Sequence, residues 1–103
     1  MRLDYAPKAV RALTEIYNYL ADKNERAAVD VHNEIVDEID RLVVYPQIAP
    51  VEPLLADEPE MFRSLLIRRR YKAVYVVEND VVTVVDIWDC FQNPDTLKRR
   101  TIG

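Results

Sequence analysis

The stretch FRSLLIRRRYKAVYVVENDVVTVVDIWDCFQNP, residues 62–94, constrains the fold more than any other part of this chain. It reads as three β-strands in succession, with basic residues crowded into its first turn. About 60 residues of acidic, helically patterned sequence precede it. Two helices followed by a strand meander make an α+β domain, in which the helices cover one face of an antiparallel sheet.

The elements follow from periodicity. Met1, Leu3 and Tyr5 alternate with Arg2 and Asp4, which predicts a short, half-buried N-terminal strand. Pro7 suits the first turn of a helix over about 7–22, with Val10, Leu13, Tyr17 and Leu20 at helical spacing. Asn24 is a good N-cap for a second helix running to about Val44. Its apolar stripe is Ala28, Val31, Ile35, Ile39 and Leu42, and the short break between the helices makes an antiparallel hairpin. Residues 45–60, punctuated by Pro46, Pro50, Pro53 and Pro59, read as a long loop packing through Ile48, Val51, Leu54 and Leu55. Strands are expected over about 62–67, 71–78 and 81–90, with Glu78-Asn79-Asp80 as a tight hairpin turn. The last strand is apolar on both faces, so it is expected at the sheet centre. A short helical turn, Asp95–Arg99, follows Asn93 and Pro94. The whole, residues 1–103, is expected to be a single domain.

Charge is distributed unevenly. Residues 1–60 carry thirteen acids and six bases, a net −7, and residues 61–103 carry eight bases and five acids, a net +3. The overall −4 argues against strong autonomous DNA binding. No apolar run approaches the roughly 18 residues of a membrane span. MRLDYAPK lacks the apolar core of a signal peptide, and a cytoplasmic location is the default expectation.

Several chemistries are excluded. The only glycine is Gly103, so no Gly-rich phosphate loop exists. His32 and Cys90 are each alone, which removes His-based metal clusters and disulfides, and no metal or cofactor is implied. His32 reads as a partly exposed helix residue, and Cys90 as a packed, inert thiol. Ser64, the only serine, lies on a strand with no nucleophile elbow around it. The positive signal is the cluster Arg63, Arg68, Arg70 and Lys72, interleaved with Tyr71 and Tyr75. Guanidinium groups bind phosphate bidentately and tyrosines stack on bases. The same cations equally suit pairing with the carboxylates of the second helix, or a solvated face. On spacing alone both readings stand.

The helical segment AVRALTEIYNYLADKNERAAVDVHNEIVDEIDRLVVYPQIAP resembles that of the RelE/ParE superfamily of type II toxin–antitoxin toxins, with its Ile-x-x-Tyr pattern and its Leu-then-Pro exit. FRSLLIRRRYKAVYVVENDVVTVVDIWD resembles the sheet of that family, and IWDCFQNP the ending of its ParE-like branch. The resemblance implies a short N-terminal strand, an antiparallel helical hairpin and a three-stranded antiparallel meander. It implies a plasmid-stabilisation-like toxin, neutralised by a cognate antitoxin, with DNA gyrase or the ribosome as target; the absence of a long apolar run adds the expectation of no membrane partner. Arg63 matches the first-strand arginine of the family and Arg70-Tyr71 its basic–aromatic pair. Phe91 stands where an arginine is common, and the tail DTLKRRTIG lacks the Tyr or His of the ribonuclease branch.

Catalytic residues are therefore unassigned. Candidates for contact with a target or anion are Arg63, Arg68, Arg70, Tyr71, Lys72, Lys98 and Arg99. Three readings follow: a ParE-type toxin acting by contact with a topoisomerase, a RelE-type ribosome-dependent mRNA endoribonuclease, and a non-toxic binding or regulatory module on the same fold. The departures at Phe91 and in the tail favour the first and third.

Overall fold

The structure is a computed structural model that describes all residues, 1–103. In chain order it contains β1 (Arg2–Tyr5), α1 (Pro7–Ala21), α2 (Glu25–Asp40), β2 (Arg63–Ile67), β3 (Tyr71–Glu78), β4 (Val81–Asp89) and α3 (Pro94–Ile102). Single 3-10 turns lie at Arg41–Val43 and Pro53–Leu55. No helix is long and apolar enough to cross a membrane.

Local chemistry sets the helices. Pro7 opens α1, where its missing N–H costs nothing. The Asn24 side chain accepts the Ala27 N–H at 3.1 Å and starts α2. The apolar stripe of α2 is buried as its spacing predicts, and Leu42 extends it into the following 3-10 turn. On α1 the buried residues are the small Ala9 and Ala12, with Leu13, Ile16 and Leu20 beside them. Val10 points outward, because the alanines let the helix approach the sheet closely on their own side.

The sheet order is β1-β4-β3-β2, which places β4 inside and under the helices, as expected. The β2-β3-β4 meander is antiparallel. β1, however, pairs parallel to β4, so the sheet is mixed rather than wholly antiparallel. The connection through α1 and α2 returns the chain from the far side, which a parallel pair requires.

A β-bulge between Val74 and Tyr75 shifts the β3–β4 register, leaving Val85 unpaired while Asp86 faces Val74. Strict alternation from Val82 and Val84 would send Asp86 into the helical core. The extra residue turns it to the other face, beside Trp88. That second face carries its own small core of Leu55, Phe62, Val74, Trp88 and Leu97, closed by α3 and the Pro53–Leu55 turn. α3 runs through Ile102, well past the single turn expected over 95–99, because Leu97 is buried and the Thr101 hydroxyl is held beneath it.

Both hairpin turns have left-handed backbone. Asn79 (φ 52°) and Asp80 (φ 62°) are residue types that tolerate it, as expected. Arg68 (φ 56°) and Arg69 (φ 57°) are not.

The loop 45–60 packs differently from its hydrophobic pattern. Leu55 is buried and Leu54 half-buried, but Ile48 and Val51 face outward. Ala49 and Glu52 go inside instead. Polar bonds decide this: Glu52 N–H donates to Phe62 O (2.8 Å) and Ser64 N–H to Pro50 O (3.1 Å), clasping residues 50–52 along the outer edge of β2.

Candidate functional site

The basic residues of the β2–β3 hairpin do not form one open patch. Strand alternation and the turn send them in different directions, and nearly every one meets an acceptor within the chain. The Arg63 guanidinium donates to Ala49 O at 2.8 Å. Arg68 Nε donates to Glu34 Oε1 of α2 at 2.8 Å, realising the pairing with the second helix that the sequence left open. Arg70 makes a two-pronged contact with Asp89, Nε to Oδ1 at 3.1 Å and Nη2 to Oδ2 at 3.0 Å. Lys72 Nζ reaches Glu52 Oε1 at 2.6 Å. At the other end of the charge run, Lys98 pairs with the exposed Asp57, and Arg99 Nε contacts only Asp95 O at 3.4 Å.

Two of these pairs are embedded. Glu52 is 0% exposed, and its carboxylate accepts from Lys72, from the Ser64 hydroxyl (2.8 Å) and from the Leu54 N–H (2.8 Å). Burial works against its ionisation, but these three hydrogen bonds and the Lys72 charge outweigh burial and hold its pKa below the ordinary value. Asp89 follows the same pattern. Burial opposes its charge, and the Arg70 and Phe91 N–H bonds overcome it, so its pKa is lowered too.

A third cluster lies on the α3 side. Asp86, 0% exposed, accepts from its neighbour Ile87 N–H, from Thr101 Oγ1 at 2.8 Å and from Arg100. Trp88 Nε1 donates to the same Thr101 hydroxyl at 2.8 Å.

Groups whose folded pKa is depressed contribute stability above their unfolded pKa and lose it as pH falls through the folded value. For Glu52 and Asp89 the unfolded values lie near pH 4.3 and 3.9. The urea midpoint should therefore be flat above about pH 5 and fall steeply below about pH 4. Glu52→Gln should flatten that fall, and an unchanged acid limb in the variant would refute the assignment.

Arg70 lies in a cleft of about 370 Å³ between α1 and the ends of β3 and β4, which Glu15, Tyr19, Tyr71, Asp89 and Gln92 help to line. Its guanidinium carbon is 4.3 Å from the centre of the Phe91 ring and 5.4 Å from that of Tyr71. Phe91 is 75% exposed, while Tyr71 and Tyr75 are buried. The hydroxyl of Tyr75 is spent on Pro46 O at 2.8 Å. Both tyrosine side chains belong to the helical core, with Tyr71 also lining the cleft beside Arg70.

Cys90 lies beyond β4, and burial pushes its thiol pKa up, against the pull of the Lys72 charge. It is not an activated nucleophile. His32 packs edge-on against Tyr17, ring centres 6.0 Å apart. No group of three or more His, Cys, Asp or Glu side chains is disposed to hold a metal ion.

The family profile described as "ParE toxin of type II toxin-antitoxin system, parDE" matches residues 3–94. The chain belongs to the ParE toxin family. A solved chain titled "Chromosomal ParDE TA system from P. aeruginosa" superposes with a TM-score of 0.71 at 24% identity, over 86% of this chain and 95% of that one, a likeness of fold. Comparison with curated protein sequences gives no match.

In this ParE-family chain the polar residues that organise the site are ones the motif reading passed over. Glu52 sits between two prolines with nothing in its neighbourhood to mark it. Asp86 did carry a signal, because an acid inside VVTVVDIWD must be paired if that run is a central strand. Arg100 and Thr101 lie in the tail DTLKRRTIG, where only Lys98 and Arg99 stood as contact candidates.

Proposed function

We propose that this chain is the toxin of a type II toxin–antitoxin module, acting in the cytoplasm by binding DNA gyrase and neutralised by a cognate antitoxin. Membership of the ParE family supports the toxin reading. The pairing of its cations supports contact rather than phosphodiester chemistry: Arg70 and Lys72 are held by carboxylates of their own chain, so a phosphate would have to displace Asp89 or Glu52 to reach them. Induced expression should stop growth, with loss of DNA supercoiling while translation continues, and co-expression of the neighbouring antitoxin should relieve it. Translational arrest with supercoiling intact would overturn this reading.

The antitoxin docks mainly through apolar surface. Val44, Tyr45 and Ile48 project together from the turn after α2. β1 is an edge strand, beside a cleft of about 410 Å³ between α1 and α2. The buried Tyr5 hydroxyl in that cleft has no hydrogen-bond partner within the chain. Its burial, with the nearby Asp40 carboxylate, pushes its pKa up to about 12, so it stays a neutral donor. Apolar contact of this kind resists salt. The toxin–antitoxin complex should survive high-salt washing, and complete dissociation at moderate salt would refute the apolar interface.

A further inference from the structure

The tip of the β2–β3 hairpin is built against local preference. Its two central residues, Arg68 and Arg69, have φ of 56° and 57°. Three residues, Arg68 to Arg70, connect the paired Ile67 and Tyr71, and positive φ in such a loop favours Gly, Asn or Asp, since a Cβ crowds the backbone there. The same sheet makes its other hairpin turn with Asn79 and Asp80, so the chain has access to better residues for the geometry. Backbone held in a disfavoured region points to use.

The three arginines of this tip differ in what they are free to do. Arg70 turns back onto Asp89. Arg68 lies across to Glu34 in a pair that is nearly half exposed on both sides. Such a pair exchanges readily for another carboxylate. Arg69 is exposed and makes no hydrogen bond or ion pair with any side chain of its own molecule. Behind it, between the hairpin tip and the helices, runs a groove of about 550 Å³ whose helix side is the apolar Leu20, Ala27 and Val31 and whose hairpin side is Arg68, Arg69, Arg70 and Tyr71. An unneutralised guanidinium thus stands at the mouth of a groove with one apolar wall.

We propose that this tip is where the toxin grips an acidic segment of its protein target, with Arg69 reading a carboxylate and the groove receiving one apolar side chain of that segment. This rests on the gyrase-directed reading above. The apolar wall has nothing to offer a phosphodiester backbone, and buried Tyr71 offers no stacking face, which favours a protein over a nucleic acid. Exposed arginine contacts steer encounter and weaken with salt, which fits a target rather than a long-lived antitoxin complex.

The test uses the full-length toxin and purified gyrase holoenzyme, with the antitoxin and a short DNA duplex as parallel ligands. Arg69→Gly removes the charge and relieves the turn, so Tm should rise by about 4 °C. Gyrase affinity should nevertheless fall at least about tenfold, a loss typical of a removed charge contact. Arg69→Lys should stay within about threefold of the unmodified toxin, because it keeps the charge. The affinity of Arg69→Gly for the antitoxin should not change. Unchanged gyrase affinity in Arg69→Gly overturns the proposal. So does a loss confined to the antitoxin, which would assign the tip to neutralisation, or one confined to the DNA duplex, which would assign it to nucleic acid. Failure of the unmodified toxin to bind gyrase overturns both this proposal and the reading beneath it, and is told apart because it needs no variant.

Discussion

Glu52→Ala is expected to destabilise the fold by about 3 kcal/mol, the lower end of the cost of removing one partner from a buried ion pair, because the Lys72 left behind keeps part of its side chain in water. Three donors converge on this carboxylate: the Lys72 ammonium, the Ser64 hydroxyl and the Leu54 N–H. Truncation leaves all three without an acceptor, and the Ser64 hydroxyl is buried away from water. It also frees the clasp of residues 50–52, whose backbone covers the outer edge of β2. An uncovered edge invites pairing between chains, so the variant should aggregate more readily as well as unfold at lower urea. Glu52→Leu combined with Lys72→Met should recover most of the loss, because two apolar groups in place of a buried pair are often neutral or stabilising. Urea midpoints at constant m-value decide this. A cost below about 1 kcal/mol would mean that Glu52 behaves as a surface acid and that the clasp holds without it.

Glu52 also shows where sequence stops being informative about this protein. The α2 stripe, the Asn24 cap and the Asn79–Asp80 turn were legible, because each is set by residues within a few positions of one another. The same holds for the central position of β4, whose apolar character on both faces reports its surroundings directly. The parallel pairing of β1 was not legible, since four alternating residues do not specify which strand they join. Nor was the bulge at Val85, which reverses the face of Asp86 and makes α3 longer than its local pattern suggests. The candidate site suffered most. Arg63, Arg68, Arg70 and Lys72 are neighbours along the chain, but alternation and a left-handed turn distribute them among Ala49 O, Glu34, Asp89 and Glu52. Three of those acceptors lie 14 to 34 residues away from the cation they bind, and Lys72 finds its own 20 residues back. No local pattern encodes such distances. Arg69, the cation that remains unpaired, gave no signal beyond being the middle of three arginines.

This ParE-family chain is expected to leave ribosome-bound mRNA intact. Cleavage without a metal needs cations placed on the charge that develops at phosphorus, and each such contact typically supplies about 10²–10³ in rate. It also needs a group that moves protons near neutral pH. Arg70 is bidentate on Asp89, and Lys72 is bound to a buried carboxylate, so both begin from a neutralised state. Phe91, where the resembled superfamily commonly places an arginine, stacks on Arg70 instead and contributes neither charge nor proton. The single histidine, His32, sits on α2 against Tyr17, away from the hairpin cations. A chain missing one cationic contact and the proton-transfer group together should cleave at least about 10⁴-fold more slowly than a competent ribonuclease of the same fold. The measurement is primer extension on mRNA held in stalled ribosomes, with added toxin. Phe91→Arg separates the effects further. It would place a second guanidinium beside Arg70 and unstack it, yet under the proposed contact mechanism growth arrest should persist undiminished. Clear cleavage in the ribosomal A site by the unmodified chain, abolished by Arg63→Ala or Arg70→Ala, would mean that Asp89 releases Arg70 to the phosphate on the ribosome. The ribonuclease reading would then replace the one proposed here.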